Sequence, residues 1–164
     1  MQALMLERPP KVTPCDNSQL SSFQEDIFIT LVESQEWYPE IFNWYCQKFV
    51  PGLVDSSRFI LKYHVGNNVA GIALLKKDAQ EKKICTLRVK SQYRNNGVGK
   101  ALFGRCLEIL DTEKPMITVS AERLCYFSNI FKYYDLKLEQ VVQNYYRNNS
   151  SEYVFNGFLE WKTV

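Results

Sequence analysis

Leu87-Arg88-Val89-Lys90-Ser91-Gln92-Tyr93-Arg94-Asn95-Asn96-Gly97-Val98-Gly99-Lys100-Ala101-Leu102 runs from a strand end through a loop with two glycines straight into an amphipathic helix. A helix start leaves backbone N–H groups unpaired and carries partial positive charge, so it suits phosphate groups. Gly97 and Gly99 let the backbone come close to such a group. Arg94 and Lys100 add positive donors at the same place. The loop reads as a phosphate cradle. It is not a P-loop, because Gly99-Lys100 is followed by Ala101 where that pattern needs Ser or Thr. Nor is it the dinucleotide fingerprint G-x-G-x-x-G, whose third glycine position holds Leu102.

The flanking periodicity alternates between strand and helix. Phe59, Leu61, Tyr63 and Val65 alternate with more polar neighbours, Gly66-Asn67-Asn68 makes a turn, and strands follow over Val69 to Leu75 and Ile84 to Val89. After the loop, Val98, Leu102, Cys106 and Ile109 share one helix face, and Pro115 ends the linker to a strand from Met116 to Ala121. Leu124, Phe127, Phe131 and Tyr134 predict a further helix, and strands at roughly 138–147 and 152–161 flank Asn148, Asn149 and Ser150. Upstream, Pro9, Pro10 and Pro14 mark an irregular or short extended lead-in. Ser18 is placed to cap a helix bearing Leu20, Phe23, Ile27 and Leu31. A second helix starts around Pro39, carries Ile41, Phe42, Tyr45 and Phe49, and is expected to stop at Pro51-Gly52. The order is ααβββαβαββ, with a short strand ahead of it left open. No linker divides the chain, so residues 1–164 are expected to form one domain.

R-x-x-G-x-G between an L-x-V strand end and an A-L helix start resembles the GNAT superfamily of N-acetyltransferases, which hold the pyrophosphate of acetyl-coenzyme A (acetyl-CoA) on that motif. The resemblance is clear over about residues 81–138 and topological from about 57 to 161. It implies an α/β (α+β) fold with a mixed, mainly antiparallel central sheet flanked by helices. It also implies an acceptor-side two-helix region at about 17–50 and a cofactor-binding core at about 57–161. Acetyl-CoA is then the cosubstrate. Its pantetheine arm is expected along Leu87, Arg88 and Val89, and its pyrophosphate on Arg94, Asn95, Asn96, Gly97, Val98, Gly99 and Lys100. The acceptor is a primary amine, on a small molecule or a protein, attacked directly and without a covalent enzyme intermediate; a homodimer is left open. A coenzyme A-binding sensor or partner-binding module with little catalysis is the alternative.

The family's last-helix segment, N-x-x-A-x-x-L-Y-E-K-L-G-F, matches loosely. Counting back five from Leu138 puts Tyr133 at the tyrosine position, with Tyr134 as the competing register. Lys137 stands where glycine is usual, and Asn129 supplies an asparagine outside its usual place. Acyl transfer leaves a thiolate on the cofactor, which a phenol at Tyr133 can protonate. The strand Ile84-Cys85-Thr86-Leu87 holds no carboxylate, so Glu122, just past the next strand, is the candidate base. It reads equally as an acidic residue in a first helical turn. His64 reads as an exposed strand residue, and nothing beyond composition pairs it with Cys85 or Cys125 as a nucleophile. The aromatic group Trp37, Tyr38, Phe42, Trp44 and Tyr45 serves either the core or an acceptor pocket. Lys76-Lys77 and Lys82-Lys83 flank a hairpin tip.

With 46% hydrophobic and 23% charged residues the chain excludes disordered and low-complexity classes. A net charge of +2 argues against a DNA-coating protein. The five cysteines include no CxxC pair, and one histidine cannot complete a zinc finger, so no metal site is expected. Reduced thiols, no signal peptide and no run near the ~18 apolar residues of a bilayer span point to a cytoplasmic protein with no membrane partner.

Overall fold

The computed structural model describes residues 4–5 and 22–160. Its strands are β1 (Leu4–Met5), β2 (Arg58–Val65), β3 (Asn68–Lys77), β4 (Lys82–Val89), β5 (Met116–Ser120), β6 (Leu138–Gln143) and β7 (Ser151–Phe155). They form one sheet in the order β1-β2-β3-β4-β5-β7-β6. Every neighbouring pair is antiparallel except β4 and β5, which are parallel. The α/β fold with a mainly antiparallel sheet is therefore as expected, including a short first strand.

Helices cover both faces. α4 (Val98–Leu110) and α5 (Leu124–Tyr133) lie on one, where Leu102, Phe103, Phe127 and Phe131 join Leu61, Ala73 and Leu87 in the main core. Burying a side chain such as Leu102 or Phe103 contributes roughly 2–3 kcal/mol. On the other face α1 (Ser22–Ser34), α2 (Ile41–Trp44), α3 (Val50–Val54) and the turn joining the last two pack Ile27, Leu31, Ile41, Leu53 and Phe49 against Ile60, Ile72 and Leu74. The predicted cap at Ser18 and the position of Leu20 lie outside the described residues. Among the described residues no helix is long and apolar enough to cross a membrane.

Three elements differ from the sequence expectation, one of them β7, which ends at Phe155 rather than near 161. The helix after Pro39 does not stop at Pro51-Gly52: a π turn (Tyr45–Phe49) leads into α3, with Pro51 in its first turn. Proline cannot donate to the carbonyl four residues back, and its ring collides with it. Widening the turn just ahead moves that carbonyl aside, so the helix continues. β6 in turn ends at Gln143 rather than near 147, and Asn144 N–H closes the following loop onto Ser150 O at 2.9 Å. Tyr145, Tyr146 and Arg147 thereby leave the sheet.

β4 and β5 pair only at Lys83↔Met116 and Ile84↔Ile117. Against β3, Leu75 faces Ile84 and Leu74 faces Thr86, so Cys85 is the extra residue of a bulge. An unpaired extra residue bends its strand and strengthens the twist. Beyond that point β4 and β5 part.

Candidate active site

Two cavities lie against β4 and β5. The larger is an open cleft of about 890 Å³, whose wall includes Tyr38, Trp44, Arg58, Lys83, Tyr145 and Tyr146. The smaller, of about 30 Å³, lies between Ile84–Leu87 of β4 and Ile117–Val119 of β5, bordered by Arg123 and Phe127. Tyr38, Cys85, Thr86 and Thr118 border both. The bulged stretch of β4 is therefore a wall common to both.

The glycine loop follows β4 directly. A 3₁₀ turn (Ser91–Tyr93) leads to Arg94, whose Nε donates to Val89 O at 3.1 Å. Asn95 and Gly97 hold left-handed backbone, at φ +61° and +79°. Gly97 caps α4, and Ala101 N–H donates to Gly97 O at 3.0 Å. The N–H groups of Val98, Gly99 and Lys100 precede that first helical bond and have no partner within the helix. A Cβ on Gly97 would meet nothing within 4 Å, so the cradle is open. A Cβ on Gly99 would lie 3.1 Å from Ile130 Cδ1 and 3.6 Å from Val89 Cγ2. Gly99 thus serves the contact of α4 with α5 and β4.

Arg88 and Arg94 lie close enough to act on Arg123, which borders the smaller cavity. Arg88 pairs with Glu33, Arg94 lies over the Tyr126 ring at 5.5 Å, and Arg123 over Trp37 at 4.7 Å. Burial lowers the pKa of Arg123, and the charges of Arg88 and Arg94 lower it further. Burial likewise lowers that of Arg88, with Glu33 opposing. A strand that feeds a glycine loop at a helix start is the arrangement the sequence resemblance implied, and here that strand also parts from its parallel neighbour.

The acetyltransferase (GNAT) domain family model matches residues 25–132. The chain belongs to the GNAT acetyltransferases. Its activity is accordingly acetyl transfer, with acetyl-CoA as cosubstrate. Solved structures share the fold at low identity. A Desulfovibrio desulfuricans protein assigned to the GNAT family is 12% identical, with 94% of this chain and 97% of that one covered at a TM-score of 0.67. A Bacillus subtilis acetyltransferase in complex with CoA is 11% identical, covering 96% and 100%, at 0.63. The ribosomal-protein-S18-alanine N-acetyltransferase of Escherichia coli is 12% identical, covering 90% and 97%, at 0.61. No curated protein sequence matches significantly.

In this acetyltransferase the candidate residues on α5 sit beside the glycine loop. Tyr133 is 62% exposed, and Lys100 Nζ lies 3.3 Å from its ring centroid. Tyr134 stacks on Phe103 at 4.9 Å and donates its hydroxyl to Lys100 O at 3.0 Å. Neither borders either cavity; Phe127 is the α5 ring that borders the smaller one. Asn129 is exposed on the same helix. Glu122 is exposed, ion-paired with Arg147, and borders neither cavity. Its own backbone N–H, and then Arg147, hold its carboxyl below the usual range, so it stays charged. His64, half-buried, pairs with Val69 beside a bulge of β3 at Ala70.

Sequence reasoning missed Glu152. It lies on β7 opposite Ser120 of β5, only 3% exposed, and Tyr38 Oη donates to its Oε1 at 3.0 Å. Burial pushes the carboxyl up to about 7, with hydrogen bonds from Tyr38 and Thr118 pulling the other way. Burial and then the Glu152 charge push the Tyr38 phenol well above its ordinary value. The signal was present: Glu152 and Val154 alternate with Ser151 and Tyr153, and both are buried. A period-2 reading puts that carboxylate on an inward face.

Proposed function

We propose that this enzyme transfers the acetyl group of acetyl-CoA to a primary amine by direct attack, as a single domain. The region about 17–50 would form the acceptor side. The observation that carries the reading is the pair of cavities, one broad and one narrow, that share the Cys85 bulge as a wall. The thioester arm would lie along Leu87, Arg88 and Val89, of which Leu87 borders the narrow space, and the broad cleft has room for the acceptor. The residues fit the cosubstrate's charge as well: Arg94 to Lys100 offer an exposed helix start, Gly97 has open space above it, and Asn129 is exposed on α5. Acetyl-CoA supplies an activated thioester carbon. Cys85 borders both cavities, but burial raises its thiol above the usual range. A protonated thiol is a weak nucleophile, which favours direct attack over an acetyl-cysteine route.

The test is thiol release from acetyl-CoA with a panel of spermidine, lysine methyl ester and an alanine-terminated peptide, beside calorimetric binding of acetyl-CoA. Binding with amine-dependent release is expected. Binding without release from any amine would favour the sensor alternative.

Tyr133 is the proposed proton donor to the departing thiolate, on the family's helix pattern and its place beside the loop. Tyr133→Phe removes one hydroxyl and leaves the ring under Lys100. General acid catalysis contributes ~10²–10⁴-fold. A loss of at least about tenfold in kcat is expected, with acetyl-CoA affinity held within about threefold. Tyr134→Phe instead removes a bond to α4 and should act on stability. A change in kcat under about twofold for Tyr133→Phe removes Tyr133 from the proton path.

A further inference from the structure

We propose that Tyr38 and Glu152 form a proton relay that takes the proton shed by the acceptor nitrogen. The inference rests on the acetyltransferase reading and adds to it the base that β4 lacks. Tyr38 stands at the turn between α1 and α2 and forms part of the wall of both cavities. Glu152 lies behind it, bordering neither cavity, and accepts the Tyr38 hydroxyl at 3.0 Å. The pair is enclosed. The Tyr146 ring meets Tyr38 edge-on at 5.2 Å from the β6–β7 loop, and Thr118 of β5 bonds the carboxylate.

As the amine nitrogen bonds to the acetyl carbon and the C–S bond breaks, the nitrogen must lose one proton. Tyr38 Oη takes that proton while its own passes to Glu152 Oε1. The sulfur keeps the bonding pair and is protonated separately. After product leaves, Glu152 returns its proton through Tyr38 to water in the cleft. Tyr38 cannot act as base alone, since its phenol is held protonated by burial and by the Glu152 charge. Glu152 supplies the acceptor at neutral pH, with a carboxyl at about 7. The charged and titratable groups acting on the pair are Lys83 from β4, Glu122 from the turn after β5, Tyr146 from the β6–β7 loop, and Arg123 at the start of α5. Lys83 favours the ionised carboxylate and Glu122 opposes it. Glu152 acts through Tyr38 and is a positioning and proton-holding residue.

The test measures kcat and KM against pH for wild type, Glu152→Gln, Glu152→Asp and Tyr38→Phe, using the fastest amine of the panel above. Wild-type kcat should rise with pH and level off near 7. Glu152→Gln and Tyr38→Phe should each lower kcat by about tenfold, keep KM within about threefold, and lose that inflection. Glu152→Asp should restore it in part. Retention of the inflection in both Glu152→Gln and Tyr38→Phe would overturn the relay, because a structural role leaves a pH profile in place. If no amine accelerates thiol release even in wild type, the acceptor reading has failed and infrared difference titration judges the pair. A protonated-carboxyl band that disappears near pH 7, is absent in Glu152→Gln and shifts in Tyr38→Phe supports it; no such band overturns it.

Discussion

Gly97→Glu will weaken acetyl-CoA binding by at least about 100-fold while the protein stays folded. Gly97 holds φ +79° at the start of α4, and open space lies where a side chain would grow. A glutamate there puts a carboxylate among the free N–H groups of Val98, Gly99 and Lys100, where the cosubstrate's phosphates would sit. Left-handed backbone costs a non-glycine residue ~1–2 kcal/mol. A negative charge at a helix start contributes ~0.3–1 kcal/mol the other way. The net stability change is small, so loss of affinity reports the cradle itself. Gly97→Asn separates the two effects, because asparagine tolerates this conformation and brings no charge. Its loss should stay within about tenfold. Calorimetry on folded protein decides: affinity within about threefold of wild type in Gly97→Glu would sink the phosphate assignment. Gly99→Glu is not an equivalent test. Its Cβ would press on Ile130 at 3.1 Å, so it perturbs the contact between α4 and α5.

That contrast shows what the sequence could disclose. A phosphate cradle is a local device: strand end, glycines and helix start are contiguous, and their chemistry belongs to the backbone. The order of strands and helices was legible for the same reason, through periods of two and 3.6 residues. Pro51 misled because a π turn upstream absorbs its steric demand, and nothing in the residues Tyr45 to Phe49 announces that turn. Tyr145 and Tyr146 continued the alternation of β6, yet they leave the sheet to wall the cleft. The base question was the least legible. Glu122 follows β5 in the chain and looked near, but it points to solvent and Arg147. Glu152 is 30 residues further on, and β7 pairing with β5 brings it beside Ser120. Tyr38 reaches it across 114 positions of sequence. Contacts that distant follow from sheet order, which no local pattern encodes.

Glu152→Gln is expected to stabilise the protein at alkaline pH and to leave it nearly unchanged in acid. The carboxyl titrates near 7 in the folded chain against an ordinary value of 4.5, because burial disfavours its charge. Below pH 4.5 the group is protonated in both folded and unfolded states and costs nothing. Between 4.5 and about 7 the unfolded chain releases the proton first, so the folded state binds more protons and stability falls as pH rises. Above 7 the penalty is complete. At 1.36 kcal/mol per pKa unit it reaches ~3 kcal/mol. Glutamine has the same shape, never ionises, and keeps an oxygen for the Tyr38 hydroxyl. Urea unfolding of both proteins from pH 4.5 to 8.5 should therefore give a gap that opens with pH and then stays level. A gap independent of pH would mean that the carboxyl is not held protonated by its surroundings. Glu122→Gln should show the opposite trend, because Glu122 is held below its ordinary value and favours the folded state only when ionised. A carboxyl that lowers stability at the pH where the relay needs it ionised is what a proton acceptor poised near neutrality requires. Shifting it back to 4.5 would remove the stability penalty and, with it, the basicity that lets it draw a proton through Tyr38.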